Sequence, residues 1–168
     1  CALQGEKMPK IIEEQQYDFK DVLIKPRIGN INSRKEVDLR VGIEFKHSED
    51  TWVGIPLIAA NMDTVATMDM AKAMARNQCM TALHKHYSVD ELIKFFGKET
   101  TENGIINLNE NKHHLEHVFY SIGITQTDYD KFEKVLDNVG YWTANSDPSN
   151  NSGIRFVCID VANGYMSD

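Results

Sequence analysis

The sequence has few of the features that assign a protein by inspection. No apolar run approaches the ~18 residues needed to span a bilayer, and no secretory leader pattern opens the chain. Only three cysteines occur, Cys1, Cys79 and Cys158, widely spaced and without a Cys-x-x-Cys. That usage argues against a disulfide framework and for a reducing compartment, with the cytoplasm as the expected location. Basic charge is in deficit: 18 Lys and Arg against 25 Asp and Glu leave a net charge of -7. This disfavours nucleic acid and anionic membrane surfaces as partners. Neither a Gly-x-Gly-x-x-Gly nor a Walker phosphate loop is present, and no internal repeat or low-complexity tract appears.

What remains is an ordinary globular balance, 168 residues of which 42% are hydrophobic and 26% charged, enough for one domain with a core. From Ile55 onward, short apolar runs alternate with amphipathic stretches. "IPLIAAN" (55–61) reads as a strand buried on both faces. "TMDMAKAMARN" (67–77) reads as a helix, with Thr67 as N-cap and Met70, Ala71 and Met74 on one face. "CMTALH" (79–84) is a second strand. Ser88 to Glu91 forms a capping box that opens a helix stopped at Gly97. "HVFYSIG" (117–123) is a third strand. "TDYDKFEKVLDNVG" (127–140) is a helix with Phe132, Val135, Leu136 and Val139 at helical spacing. "IRFVCIDVANG" (154–164) supplies a fourth strand. This alternation predicts parallel βαβ units.

Residues 1–7 are set apart as a remnant before a natural start at Met8. Residues 8–54 form an N-terminal extension, with "VDLRVGIEF" as a candidate edge strand. Residues 55–168 carry the alternating units, interrupted by polar, Asn-rich loop insertions near 97–112 and 141–153. The Asn150-Asn151-Ser152 sequon in the second should be unused. Four parallel strands fit either a small doubly wound domain or half of an eight-stranded barrel, and composition does not decide between them.

In either fold, sites gather at the C-terminal ends of the strands. Those ends carry Asn61-Met62-Asp63, His84-Lys85-His86, Gly123, and Asp160 with Asn163 and Gly164. A lysine and at least one carboxylate could therefore meet on one face, where the pair would orient a cofactor amide or relay a proton. A structural ion pair is the competing interpretation. His84 and His86 point the same way on a strand but lack a third ligand. His113 and His117 are four apart, yet His114 breaks the His-Glu-x-x-His pattern. No metal site is expected. Cys158 lies inside an apolar strand and reads as an inert filler.

Five blocks, "YDFKDVLIKPR" (17–27), "SRKEVDL" (33–39), "IPLIAANMDTV" (55–65), "TALHKHYS" (81–88) and "CIDVANGY" (158–165), resemble in order and spacing the IMP dehydrogenase/GMP reductase family. The reductase branch is the better fit. The dehydrogenase pattern resembles "AAMDTV" and "IHKNMS" at the corresponding places, and its pair of CBS modules has no room here. The resemblance implies a (β/α)8 TIM barrel, of which this chain would hold the first four β/α units. It implies a GMP reductase activity, the NADPH-dependent conversion of GMP to IMP and ammonia, in which a cysteine attacks purine C2 before hydride arrives. Lys85, Asp160, Val161 and Ala162 then match positions at the nicotinamide end of the cofactor, with Lys85 and Asp160 as supporting catalytic groups. Ser33 and Arg34 match positions at the adenine end, reached across a subunit boundary. Asn61 and Met62 match a loop lining the purine nucleotide. A homotetramer follows by the same resemblance, as does a potassium ion held through the second half of the barrel.

Two departures qualify this. Ala66 replaces a glycine of the family's first loop, a minor change if its φ is negative. None of the three cysteines matches the nucleophile, which belongs, with the threonine acid partner and the phosphate loops, to the second half. The 168 residues alone are expected to be inactive. An NAD-dependent dehydrogenase and a non-catalytic half-barrel binding module are the alternatives.

Overall fold

The computed structural model describes residues 13–46, 50–97, 113–142, 152–162 and 164. Most of both Asn-rich insertions, the first seven residues and Asn163 lie outside them. The chain divides into two units, one through Val37 and one from Asp38.

The first unit holds two short 3-10 turns. Phe19–Asp21 is closed by a capping box with Asp18, and Arg34–Glu36 is capped by the Ser33 hydroxyl; neither turn buries a residue.

The second unit begins with a hairpin inside the predicted extension. Strand β1 (Val41–Glu44) pairs antiparallel with β2 (Thr51–Gly54), matching Val41 to Gly54 and Glu44 to Thr51. Four strands follow as one parallel sheet in chain order: β3 (Ile58–Ala59), β4 (Met80–Ala82), β5 (Val118–Ile122) and β6 (Phe156–Ile159). The connections carry α1 (Met68–Arg76), α2 (Val89–Phe96) and α3 (Gln126–Val139). The first two helices start at the expected caps, whereas α3 starts at Gln126 behind Thr125, ahead of the predicted 127. Thr67, Ser88 and Thr125 accept from backbone N–H groups of their first turns, the last two within full capping boxes. Gly140, with φ 75°, ends α3 in a conformation that L side chains resist.

Alternation along the strands divides the core in two. Val118, Tyr120 and Ile122 of β5 pack with Leu92, Phe96 and Val135 of the helices. Phe119 faces the other way and packs against a cluster of Met80, Phe156 and Trp52, the last brought by the hairpin. Burying residues of this size contributes about 1.5–3 kcal/mol each. Gly54 permits the hairpin's close approach, since a Cβ there would lie 2.5 Å from the Gln78 carbonyl oxygen. The adjacent Ile55 N–H donates to that same oxygen at 2.8 Å.

Two expectations need correction. Helix α1 buries Ala71 and Ala75, whereas Met70 is 39% exposed. The small alanine face lets the helix lie close to the sheet, and the larger side chain turns to solvent. β3 is not buried on both faces: Leu57 and Ile58 are more than half exposed. It is an outer strand of the sheet, as is β6, whose Val157 and Ile159 are also exposed. Apolar runs bury both faces only where neighbours cover both.

Candidate functional site

The turn after β4 is built from "LHKHYS". The His84 N–H donates to the Ala66 carbonyl at 3.3 Å, tying the turn to the loop that follows β3. Ala66 itself is fully buried, and its φ is not positive, so its methyl group costs the loop nothing. The His84 ring stacks on Tyr87 at 4.1 Å, and the Tyr87 hydroxyl accepts from the Met68 N–H at 3.0 Å. His84 Nδ1 accepts from the His86 N–H at 3.3 Å, which puts the proton of the neutral ring on Nε2. Burial, then the neighbouring His86, hold the His84 pKa below its ordinary value. His84 is therefore a neutral supporting ring.

Lys85 points away from this packing. Its Nζ lies 3.6 Å from Oδ2 of Asp160, with side chains 41% and 36% exposed. Asp160 is set by β6, and its N–H donates to the Ile122 carbonyl at 2.8 Å at the end of β5. The pair thus joins the C-terminal ends of β4 and β6 across the strand between them. An exposed ion pair of this kind adds only about 0–1 kcal/mol to stability, so structure alone gives little reason for it. Half-buried Val161 and exposed Ala162 follow Asp160 along the chain, and Asn61 and Met62 lie in the turn after β3 at the same end of the sheet. Ser33 and Arg34 are exposed and belong to the first unit, where the Ser33 hydroxyl accepts from the Lys35 N–H.

Three nearby residues escaped the sequence reading. A recess beside Lys85 is also lined by Ser121, Asp128 and Lys131. The Ser121 hydroxyl is buried without a hydrogen-bond partner. Hydrogen bonds from Thr125 hold the Asp128 carboxyl below the usual carboxylate range, helped by the charges of Lys85 and Lys131. Lys131 donates to the carbonyls of Lys85 and Tyr87. A lysine and an aspartate on an amphipathic helix read as a solvated face, and no spacing rule distinguishes them from one.

A second cluster forms at the other end of β5. Donor atoms of His113, Glu116 and His117 lie within 4.8 Å of one another, a grouping missed because Glu116 was not weighed. The Trp52 indole N–H donates to His117 Nδ1 at 3.2 Å, so the neutral ring carries its proton on Nε2 and has no free lone pair there. The positive charge of Arg155 also acts on His117. Both features oppose a bound cation.

The chain is similar to several known proteins. Residues 16–141 match the family described as IMP dehydrogenase / GMP reductase domain. The chain is 42% identical over 156 residues to a GMP reductase of Escherichia coli O81 (strain ED1a) and 39% identical to one of Shewanella pealeana. Each alignment covers 93% of this chain and 38% of the relative's length. Among solved structures, inosine 5'-monophosphate dehydrogenase from Legionella pneumophila superposes with a TM-score of 0.54 at 27% identity, covering 86% of this chain and 35% of that one. The chain spans well under half the length of these relatives, yet the matched residues include the parallel sheet through β5, the Lys85 turn and the loop after β3. With three quarters of its length inside the family match, the chain belongs to the IMP dehydrogenase/GMP reductase family.

Proposed function

We propose that this chain supplies the nicotinamide-side residues of an NADPH-dependent reductive deamination. In that reaction GMP, NADPH and two protons give IMP, NADP+ and ammonium. The observation that carries the reading is the Lys85–Asp160 pair, open to solvent at the C-terminal end of a parallel sheet, where α/β folds bind ligands. Within it, Asp160 holds the Lys85 ammonium in place, and Lys85 offers N–H donors to a carboxamide. When bound, the cofactor supplies the hydride. Val161 and Ala162 line the approach to Asp160, Asn61 and Met62 flank the purine, and Ser33 and Arg34 take the adenine end from a neighbouring subunit of a tetramer. We place the attacking cysteine in the length of the relatives that this chain does not span. β3 to β6 are then four consecutive strands of a (β/α)8 barrel, a reading supported by their parallel, in-order pairing. The scattered cysteines favour the cytoplasm.

The test is oxidation of NADPH by the protein at its full natural length, with GMP present and IMP and ammonium measured. Equal yields of IMP and NADP+, and a much slower hydride step in Lys85→Ala, are expected. Reduction of NAD+ with IMP would make the protein a dehydrogenase, and no turnover with either pair would leave a binding module.

A further inference from the structure

We propose that Lys131 is a positioning residue for the Lys85–Asp160 pair: reaching from α3, its ammonium clamps the carbonyls of Lys85 and Tyr87 and so determines where the Lys85 amine lies. The inference rests on the role proposed above for Lys85.

A lysine on a helix surface ordinarily keeps its ammonium in water. Lys131 instead spends two of its three donors on backbone carbonyls, one on Lys85 at 2.7 Å and one on Tyr87, across 46 and 44 residues of chain. The side chain is half-buried. Burial lowers its pKa, while the attraction of Asp128 and Glu91 supports the charge.

The helix that carries it is itself fixed at the end of β5. The Thr125 hydroxyl donates to Asp128 at 2.6 Å, and the Asp128 N–H returns a bond to the Thr125 hydroxyl. Gly123 leaves the space for that carboxylate, since a Cβ there would run into it. Asp128 also feels the charges of both Lys85 and Lys131. The turn after β4 is tied elsewhere through the His84 N–H and the Tyr87 hydroxyl. Lys131 acts on the backbone of Lys85 itself. A shift of that backbone is passed directly to a side chain whose partner lies 3.6 Å away.

The experiment compares Lys131→Met, Lys131→Arg and Lys85→Ala in the full-length protein. Hydrogen exchange over residues 83–88 reads the turn, and steady-state kinetics read NADPH and GMP separately. Loss of a charged donor from two carbonyls should speed exchange in the turn by about tenfold and raise the KM for NADPH by a similar factor. The KM for GMP should move less than about twofold, exchange in β5 should be unchanged, and Lys131→Arg should recover most of the loss. Unchanged exchange in Lys131→Met overturns the clamp. A loosened turn with NADPH kinetics intact, in a protein that Lys85→Ala impairs, overturns the positioning role. If Lys85→Ala is itself without effect, the reading of Lys85 has failed, and loosening confined to the turn still upholds the clamp. Lys131→Gln replaces Lys131→Met should the latter not fold.

Discussion

The indole N–H of Trp52 donates to Nδ1 of His117 at 3.2 Å, a bond spanning 65 residues of chain and buried at both ends. It joins the hairpin to the residue immediately before β5. Burial, and next the neighbouring His113, hold the His117 pKa at about 4, against 6.5 for an unperturbed ring.

Stability should therefore fall with acid. The folded ring resists protonation while the unfolded ring accepts a proton near 6.5, so this contribution is complete above that pH and is lost as pH falls towards 4. The loss amounts to at most about 3 kcal/mol. Urea midpoints across this range should show the slope, and His117→Gln should flatten it. A slope unaltered by the substitution would assign it to other groups.

Trp52→Phe keeps most of the apolar surface against Met80 and Phe156 but leaves His117 Nδ1 buried without its donor. A cost of about 1–3 kcal/mol is expected, measured as a lower unfolding midpoint. Ligand binding at the other end of the sheet should not change.

Asp160→Asn removes the charge facing Lys85 while keeping its shape. Because both side chains are more than a third exposed, unfolding should change by less than about 1 kcal/mol. On the function proposed above, single-turnover hydride transfer by the full-length protein should slow on the order of a hundredfold. A large loss of stability with normal turnover would make the pair structural.

Gly153 has φ 101°, its N–H donates to the Phe96 carbonyl at 2.9 Å, and a Cβ would lie 2.8 Å from the Gly140 carbonyl oxygen. Gly153→Ala should cost about 1–3 kcal/mol through backbone strain. Gly29→Ala, with open space around it, should stay within about 0.5 kcal/mol. Equal melting temperatures for the two variants would contradict this account.

Local chemistry was legible wherever it is written in neighbouring residues. Thr67, Ser88, Gly97 and Gly140 marked helix ends because caps act within a turn. Lys85 and Asp160 were within reach because parallel strands bring their C-terminal ends together whatever the loops contain. The hairpin was only half legible: the stretch holding β1 could be suspected, but its partner "TWVG" is too short to carry a period. Lys131 was not legible at all, since its partners are carbonyl groups that every residue possesses. Leu57 and Ile58 misled for a related reason. Apolar content records what a strand is able to bury, and neighbours decide whether it does.

Met80 and Phe156 are the first residues of their strands, so the hairpin, through Trp52, closes the sheet at the end opposite Lys85 and Asp160. The two ends can then drift apart under selection. Substitutions around Trp52 would change how long the protein survives and leave its chemistry alone, while those around Lys85 would retune the chemistry at little risk to the fold. A lineage adapting to heat and one adapting to a new ligand would accumulate changes at opposite ends of the same four strands.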